Sequence, residues 1–270
     1  MKNVVVTGAS SGIGLACALR LARAGWQVYG GVRTPEAASL LEDHRVRPLE
    51  LDVTDAAHIS AAASAIGGEL HGLVDNAGIA IAAPLELVPL EELRHQLEVN
   101  VVGQVAVVQA LLPALRCARG RVVLMGSIGG RSALPFLGPY AASKHALEAI
   151  ADSLRIELRP LGVEVSIVEP GSIATPIWRK GAERADELSE GFDEERAALY
   201  APAVARVREV ALARGPGVDP DEVAKAVEHA LGVKRPKARY LVGRDAHIRA
   251  WIERLPTGLR DRVVARALTR

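Results

Sequence analysis

The fold of this chain is decided by the stretch Thr7-Gly8-Ala9-Ser10-Ser11-Gly12-Ile13-Gly14. A short β-rich run, residues 3–7, leads into it, and an amphipathic stretch follows it. A glycine-rich turn between a strand and a helix lets the backbone approach a phosphate, and the helix N-terminus favours negative charge there. The stretch therefore predicts the opening βα unit of a dinucleotide-binding sheet; a turn that holds no ligand is the alternative.

The glycines of this turn have separate steric roles in that prediction. Gly8 permits the tight turn, Gly12 lets the backbone approach a pyrophosphate, and Gly14 allows the helix to pack closely on the sheet. Their spacing differs from the common G-x-G-x-x-G pattern. The cofactor-binding residues predicted in this turn are Gly8, Ser10, Ser11, Gly12, Ile13 and Gly14.

The same rhythm of strand and helix continues to about residue 170. Short β-rich runs alternate with longer amphipathic stretches, which is typical of repeated βαβ units. The predicted strands are residues 3–7, 27–32, 46–51, 72–75, 121–125 and 164–168. We therefore predict an α/β fold, a Rossmann-like doubly wound parallel sheet with helices on both faces, whose ligand lies beyond the carboxyl ends of the strands.

After residue 170 the pattern changes. Residues 172–217 are strongly charged with scattered large apolar side chains, and we expect them to form a helical lid over the ligand crevice. A capped helix is predicted at 219–231, a last strand at 239–242, and a C-terminal arm of amphipathic helix, broken at Pro256, at 245–270. Because no repeat or low-complexity linker interrupts the chain, residues 1–270 are predicted to form one domain.

The composition is that of a globular enzyme or binding domain. A formal net charge of +1 gives no case for nucleic-acid binding by the whole chain. No unbroken apolar run approaches the length of a membrane span and no cleavable signal is recognised, so we expect a cytoplasmic protein without an integral membrane segment. Cys17 and Cys117 both fall in helical, apolar contexts, which favours buried thiols over a disulfide or a metal site, and no metal is predicted.

The C-terminal arm is the exception to this balanced charge. From Lys234 onward the chain has eleven Lys or Arg and three Asp or Glu, and the arginines are interleaved with Trp251, Ile252 and Leu255. Such an arm could bind anionic lipid, contact another subunit, cover the substrate entrance, or only pack and present a solvated face. We favour the last of these, and the others stay open.

The end of the second predicted strand bears on which dinucleotide would bind. An acidic residue there would accept hydrogen bonds from the ribose 2′-hydroxyl of NAD, but this strand ends in Val32 and is followed by Arg33. The guanidinium of Arg33 is suited to a 2′-phosphate, and Thr34-Pro35 predicts a helix N-terminus facing the same region. The sequence therefore favours NADP(H) over NAD(H), with a merely solvated Arg33 as the alternative.

Two further strand ends carry candidate cofactor-binding residues. Asp52 and Val53 follow the third strand, where the carboxylate of Asp52 could accept a hydrogen bond from an adenine amino group. Asn76-Ala77-Gly78 follows the fourth strand, where Gly78 would allow close approach to the cofactor ribose. Taken alone, either group is ordinary turn chemistry.

The candidate catalytic centre is Tyr140-Ala141-Ala142-Ser143-Lys144, preceded by Ser127. At about 3.6 residues per helical turn, positions 140 and 144 lie on the same face of a helix predicted at 139–159. The pKa of a free tyrosine is about 10; lowering it by about three units needs roughly 4 kcal/mol, which one lysine and a cationic nicotinamide could supply. The pattern indicates proton transfer to or from a carbonyl group, with a solvated helix pair as the alternative.

Together these residues resemble the short-chain dehydrogenase/reductase family. The resemblance runs from Val4 to Thr175 in family order and spacing. Its motifs are TGASSGIG, Asp52-Val53, Asn76-Ala77-Gly78, Asn100, Ser127, Tyr140-x-x-x-Lys144 and Pro170-Gly171-Ser172-Ile173-Ala174-Thr175. The family usually has a second Asn where this chain has Asp75. A weaker likeness of the C-terminal region is to members that act on hydroxysteroids, retinoids and related lipophilic alcohols.

The resemblance implies a role for each catalytic residue. Tyr140 would be the general acid for carbonyl reduction and the general base for alcohol oxidation, and Lys144 would lower the pKa of Tyr140 and hold the nicotinamide ribose. Ser127 would hydrogen-bond the substrate oxygen, and Asn100 would hold a water that resupplies the proton.

The resemblance also implies which residues hold the nicotinamide and how the chain assembles. Ile173 and Thr175, in the segment that begins with Pro170 and Gly171, would meet the carboxamide. A homodimer or homotetramer is expected. A dinucleotide-sensing protein with little activity is the alternative function, although both Tyr140 and Lys144 are present.

The predicted substrate is a small carbonyl or alcohol compound of lipophilic character. The loop before Tyr140 and the start of the predicted lid are rich in large apolar residues, which suit a hydrophobic ketone, aldehyde or secondary alcohol. The predicted pocket residues are Ile128, Leu134, Phe136 and Trp178. The alternative is that these side chains only pack the lid onto the body of the protein.

Overall fold

A computed structural model of the chain describes residues 1–213, 215 and 217–269. Within them one parallel sheet of seven strands has the order β3-β2-β1-β4-β5-β6-β7. The strands are β1 Asn3–Val6, β2 Gln27–Val32, β3 Arg47–Glu50, β4 Gly72–Asp75, β5 Arg121–Met125, β6 Glu164–Pro170 and β7 Arg239–Val242. The predicted doubly wound α/β fold is confirmed, and the strand bounds differ from the predicted ones by two residues at most.

Helices cover both faces of the sheet in the order that the alternating pattern predicts. They are α1 Gly12–Arg23, α2 Pro35–Glu42, α3 Ala56–Ile66, α4 Leu90–Leu97, α5 Gly103–Ala118, α6 Gly138–Leu158, α7 Pro176–Ser189, α8 Glu194–Ala213, α9 Pro220–Gly232, α10 Arg244–Ile252 and α11 Thr257–Thr269. A core formed largely by α3, α5 and α6 lies on one face, with Leu111 and Leu147 fully buried or nearly so. The other core joins α1 to α9 through residues such as Leu21 and Val227.

The strand order reverses at β1, which pairs with β2 on one side and β4 on the other. In an open parallel sheet the loops diverge at such a point and leave a crevice beyond the carboxyl ends. The glycine-rich turn after β1 and the Asn76-Ala77-Gly78 segment after β4 therefore lie side by side. This adjacency is what turns separate motifs into one site.

The stretch Leu90–Ala118 is one continuous helical rod with a π-helical turn at Glu98–Val102 between α4 and α5. It has a mean hydropathy of 1.6, and in the described part of the chain it alone is long and apolar enough to cross a membrane. Core helices pass the same test, and Val107, Leu111 and Leu115 of this rod are buried against the sheet. Its apolar character is therefore explained by packing.

The residues beyond β6 form helices rather than further strands until β7. Helices α7 and α8 occupy most of the 172–217 segment. Helix α9 begins at Pro220 after its N-cap residue Asp219, whose carboxylate accepts a hydrogen bond from the backbone N–H of Asp221 at 2.8 Å. In the arm, α10 exposes Ile248 and Trp251, the latter with 62% of its surface accessible. Its opposite side carries Arg249, which donates to the backbone oxygen of Ser132 at 2.5 Å.

The cysteine prediction is half correct. Cys17 of α1 is buried, and burial raises the pKa of its thiol to about 12. Cys117 is exposed because it lies in the last turn of α5, where the helix leaves the sheet. Among the described residues no group of His, Cys, Asp and Glu could hold a metal ion.

Candidate active site

A cleft of about 470 Å³ opens at the carboxyl edge of the sheet. It is lined by most of the residues that the sequence predicts for the cofactor: Gly8, Ser10, Ser11, Gly12, Ile13, Arg33, Asp52, Val53, Asn76, Ala77, Gly78, Tyr140, Lys144, Pro170, Gly171, Ile173 and Thr175. Ser127 and Trp178 also line it. Gly14 and Asn100 lie behind its wall.

The glycine-rich turn has the backbone that its residues require. Gly8 and Gly12 have φ angles of +62° and +56°, which side-chain-bearing residues rarely adopt. Helix α1 begins after Ser11 without a side-chain cap, so the amide donors of its first turn are available to an anion. The turn therefore offers a cofactor phosphate both free N–H donors and the room that glycines without side chains leave.

Gly14 is needed for packing rather than for contact with a ligand. A Cβ at this position would lie 2.2 Å from the backbone oxygen of Gly8 and 2.5 Å from Nδ2 of Asn76. The same Asn76 amide donates to the backbone oxygen of Thr7 at 3.0 Å. The absence of a side chain at Gly14 therefore lets α1 sit directly on the junction of β1 and β4.

Thr7 ties the ends of β1 and β4 together. Its hydroxyl accepts the backbone N–H of Asn76 at 2.8 Å and of Ala77 at 2.9 Å. It donates to Oδ1 of Asp75 at 3.0 Å. This arrangement orders the segment that follows β4, and it uses Asp75, where the family that the sequence resembles usually has a second Asn.

The far end of the cleft carries charge. Arg33 is 67% exposed at its side chain and lies 3.8 Å from a carboxylate oxygen of Asp52. Burial opposes ionisation of Asp52, but hydrogen bonds from the backbone and hydroxyl of Thr54 and the charge of Arg33 lower its pKa overall. The two side chains lie together at the carboxyl ends of β2 and β3. As predicted, Thr34 caps α2 by accepting the N–H of Ala37 at 3.4 Å.

Three of the predicted catalytic residues, Ser127, Tyr140 and Lys144, lie together at the other end of the cleft. Tyr140 and Lys144 are both buried, with Nζ of Lys144 5.9 Å from the centre of the tyrosine ring. The Ser127 hydroxyl lies beside the phenol of Tyr140, whose pKa it lowers, and Oγ of Ser127 accepts the N–H of Gly129 at 3.0 Å. Nζ of Lys144 donates to the backbone oxygen of Met125 at 2.7 Å.

The proton affinities at this end differ from the sequence-based expectation. Burial raises the pKa of the Tyr140 phenol, while the hydrogen bond from Ser127 and the charge of Arg249 pull that pKa down without offsetting burial. The Lys144 ammonium lies 5.9 Å from the centre of the phenol ring and donates to the Met125 carbonyl, and with its raised pKa the phenol is protonated at neutral pH.

Asn100 lies in the π-helical turn between α4 and α5, a type of distortion that is frequent at functional sites. Its amide accepts the N–H of Ile79 at 2.9 Å and donates to the Ile79 oxygen and to Oγ of Ser143, each at 3.0 Å. Gln96 and Gln104, four residues to either side, hold the same strand-end segment through Ile79 and Ala77. The side chain of Asn100 is thus directed at backbone rather than at Lys144.

The segment after β6 is fixed by the C-terminal region. The Gly171 N–H donates to the Val242 oxygen at 2.9 Å, and the Ser172 N–H donates to Asp245 at 2.7 Å. A Cβ at Gly171 would meet that Asp245 carboxylate at 2.1 Å. The predicted residues Ile173 and Thr175 follow directly and face the cleft.

Only one of the four predicted substrate-pocket residues lines the cleft. The Trp178 ring meets that of Tyr140 edge to face with centres 5.4 Å apart. Ile128 is buried beneath the loop because the helical turn at 128–130 directs it into the core, and Leu134 is half-buried in that loop. Phe136 packs edge to face on Tyr200 of α8 at 6.4 Å.

Several cleft residues carry no sequence signal of their own. Ile79 and Ile81 follow the Asn76-Ala77-Gly78 segment, while His95 comes from α4 and Lys180 from α7. None belongs to a motif: chain continuity after β4 places Ile79 and Ile81 in the cleft, and the positions of α4 and α7 place His95 and Lys180 there. For Ile79 and Ile81, the only indication in the sequence is that apolar residues continue after Gly78.

Comparisons with known proteins agree with this geometry. A family described as short chain dehydrogenase matches residues 2–186. The NADPH-dependent 3-dehydrocapnine reductase of Ornithobacterium rhinotracheale is 38% identical over 255 residues, covering 90% of this chain and 88% of that protein. Retinol dehydrogenase 5 of Mus musculus is 35% identical over 293 residues, covering 99% and 89%.

Among solved structures, a short chain dehydrogenase from Burkholderia cenocepacia J2315 in complex with NADP superposes with a TM-score of 0.76. It is 29% identical, and the match covers the whole of both chains. Fold, cleft, motif positions and these relatives lead to one conclusion: the chain belongs to the short-chain dehydrogenase/reductase family of oxidoreductases.

Proposed function

We propose that this oxidoreductase uses NADP(H) and reduces a lipophilic ketone or aldehyde, with the reverse alcohol oxidation at the same site. The observation that carries the proposal is that Ser127, Tyr140 and Lys144 line the inner end of the cleft together, with the Ser127 hydroxyl close enough to the Tyr140 phenol to lower its pKa. A carbonyl oxygen placed between two hydroxyl donors is polarised and can receive a proton from one of them.

The residues of the cleft fit a dinucleotide. The turn at Gly8 to Gly14 would hold the pyrophosphate, and Asn76, Ala77 and Gly78 would lie along the ribose. Ile173 and Thr175 would hold the carboxamide. When bound, a nicotinamide cofactor supplies the hydride that reduces the substrate carbon.

Tyr140 would act as the acid of the reduction. Because burial raises its pKa, the phenol is protonated at neutral pH and can give its proton to the developing alkoxide. Ser127 would donate a second hydrogen bond to the same oxygen through its hydroxyl. Lys144 then stabilises the phenolate and returns a proton to it, and Asn100 orders the backbone beside this path.

Arg33 supports NADP(H) over NAD(H). Its exposed guanidinium stands at the end of β2, next to the N-terminus of α2, and no acidic side chain occupies the β2 end itself. The neighbouring Asp52 is engaged by Thr54 and by Arg33. Two relatives add support, since one is named as NADPH-dependent and one was solved with NADP.

Arg33→Ala tests this preference. Losing charge-assisted hydrogen bonds of about 1.5–3 kcal/mol would raise the Kd of NADPH by roughly 10- to 100-fold and leave the Kd of NADH unchanged. Arg45→Ala, on the exposed turn before β3 and outside the cleft, is the matched control. Equal weakening of both cofactors by Arg33→Ala would contradict a 2′-phosphate role.

Apolar walls near Tyr140 support a lipophilic substrate. Trp178, Ile79 and Ile81 surround the space next to the phenol, and α7 and α8 lie above it as the proposed lid. Retinol dehydrogenase 5 is named for a lipophilic alcohol, and this chain is similar to it along almost all its length. Helices α7 and α8 would admit the substrate by moving against the body of the domain.

The decisive experiment is a matched panel of NADPH and NADH with steroid, retinoid, aryl-ketone and polyol substrates. Tyr140→Phe should lose most turnover while it still binds NADPH, and Tyr29→Phe on β2, outside the cleft, should keep it. Full activity in Tyr140→Phe would refute the proton-transfer role. Binding of NADPH with no turnover of any carbonyl substrate would favour the dinucleotide-sensing alternative.

Assembly and location complete the proposal. We expect a homodimer or homotetramer through the long helices α5 and α6, and Ile156 of α6, 71% exposed, is an apolar side chain that such contact would cover. Light scattering during size-exclusion chromatography tests the subunit count, and Ile156→Glu should lower it. The cytoplasmic location stays a prediction that cell fractionation would check.

A further inference from the structure

Asp75 is a buried carboxylate that the mechanism above does not use. It is fully inaccessible at the end of β4. Oδ1 accepts the hydroxyl of Thr7 at 3.0 Å, while Oδ2 is also buried and has no hydrogen-bond partner. Leaving a buried carboxylate oxygen unpaired is costly unless a positive charge faces it.

The positive charge that faces Asp75 is Lys144. Asp75 is paired in register with Leu124 of β5, and the next residue, Met125, offers the carbonyl that Nζ of Lys144 contacts at 2.7 Å. Burial raises the pKa of Asp75 and lowers that of Lys144, and the attraction between the two groups opposes both shifts. They interact through space, without a direct hydrogen bond.

Other charged groups around Lys144 do not replace Asp75. Glu148, one turn further along α6, also favours the ammonium, but it is bound by Arg239 at 3.0 Å. The Tyr140 ring faces the ammonium from the same helix. Asp75 is therefore the main counter-charge that reaches Lys144 from the sheet.

We propose that Asp75 is a positioning residue for catalysis: its carboxylate keeps Lys144 protonated in the dry site, so that the ammonium is present when cofactor binds. This inference rests on the proposed function, because it concerns the lysine of that site. An ammonium offers three donors, and a neutral amine would donate less and carry no charge to stabilise a phenolate.

Asparagine is the informative replacement. Its amide oxygen can still accept the Thr7 hydroxyl, and its NH2 group takes the place of Oδ2. Asp75→Asn thus keeps the shape and the Thr7 hydrogen bond, removes the charge, and aims a donor at the ammonium. It also introduces the residue that the family pattern usually has, so the fold should tolerate it.

The test is the Kd of NADPH between pH 6.5 and pH 10 for the parent protein, Asp75→Asn, Lys144→Met and the double variant. In the parent, binding should weaken as pH rises through the pKa of Lys144. A nearby opposite charge shifts a pKa by about one unit or more, so removing it should lower the pKa of Lys144. NADPH binding by Asp75→Asn should therefore weaken at a pH about one unit lower than in the parent. Lys144→Met should lack the transition, and adding Asp75→Asn to it should change nothing.

A second measurement needs no cofactor. In Lys144→Met the Asp75 carboxyl loses its counter-charge, so its folded pKa stays above the unfolded value. Such a group makes the protein less stable as pH rises, because the unfolded chain releases the proton first. The thermal stability of Lys144→Met should therefore fall more steeply from pH 6 to pH 9 than that of the double variant, in which only groups elsewhere, such as Glu169, still contribute to the slope.

The outcomes separate the two levels of the argument. The inference would be overturned if the Kd of NADPH changed at the same pH in Asp75→Asn as in the parent, and if Asp75→Asn altered that Kd equally with and without Lys144. Such a result would mean that Asp75 acts only through Thr7. No NADPH binding at any pH would instead refute the proposed cofactor. In that case the stability comparison would still decide whether Asp75 and Lys144 are coupled.

Discussion

Replacing Gly14 by alanine tests whether the glycine-rich turn depends on direct contact between α1 and the junction of β1 and β4. The added Cβ would lie 2.2 Å from the Gly8 oxygen and 2.5 Å from Nδ2 of Asn76. Real Cβ atoms essentially never come within 3.0 Å of another heavy atom, so one partner must move by close to 1 Å. Neither can swing aside, since one is backbone and the other is hydrogen-bonded to the Thr7 oxygen.

The expected loss of stability in Gly14→Ala follows from this steric overlap. Overpacking a close-packed interior costs about 1–3 kcal/mol, and a contact with rigid backbone belongs at the upper end or above it. At about 2–4 °C per kcal/mol for a domain of roughly this size, we expect the Tm of Gly14→Ala to fall by about 6–12 °C. A displacement of close to 1 Å in a binding loop should also raise the Kd of the dinucleotide by at least about 10-fold.

Thermal melting and cofactor titration measure both effects, with Gly232→Ala as the control. Gly232 ends α9, and a Cβ there would meet nothing within 4 Å. Alanine is favoured over glycine in a helix by up to about 1 kcal/mol, so this control should be neutral or slightly stabilising. If Gly14→Ala melts with the parent and binds cofactor equally well, the close-packing argument is wrong.

Three further predictions concern charge and exposure. Burial raises the pKa of Glu169 to about 7, so the folded protein holds a proton on this carboxyl that the unfolded chain has already released. The free energy of unfolding should therefore fall as pH rises from about 5 to 8. In melting curves measured across this pH range, Glu169→Gln should show a smaller change of Tm than the parent. A maleimide should label Cys117 quickly and leave Cys17 unmodified in the native protein, as mass spectrometry of peptides would show; equal labelling would contradict the burial of Cys17. The charge of Arg249 lowers the pKa of Tyr140, so Arg249→Met should move the pH limb of alcohol oxidation to higher pH, and an unmoved limb would exclude this coupling.

Local sequence was sufficient for the elements and for the motif positions. The strand bounds and the helix that carries Tyr140 follow from periodicity, and the turn at Gly8 to Gly14 follows from which backbone angles glycine permits. Because parallel strands end on one edge, motifs at strand ends had to meet in one crevice. This reasoning located Tyr140, Lys144 and Ser127 together without any contact between distant residues being known.

Tertiary structure decided what depends on burial and on neighbours far away in the chain. The cleft is not lined by Ile128, Leu134 and Phe136, because a short helical turn and the packing of α8 determine where their side chains point. The phenol of Tyr140 is harder to ionise than the Lys144 pattern implied, since burial outweighs the neighbouring groups that lower its pKa. Sequence determined which groups stand at the edge of the sheet. Only the folded structure decided the pKa values of these groups and brought Asp75 and Lys144 close enough to interact. The reason is that desolvation and through-space charge depend on everything that surrounds a group, not on its neighbours in the chain.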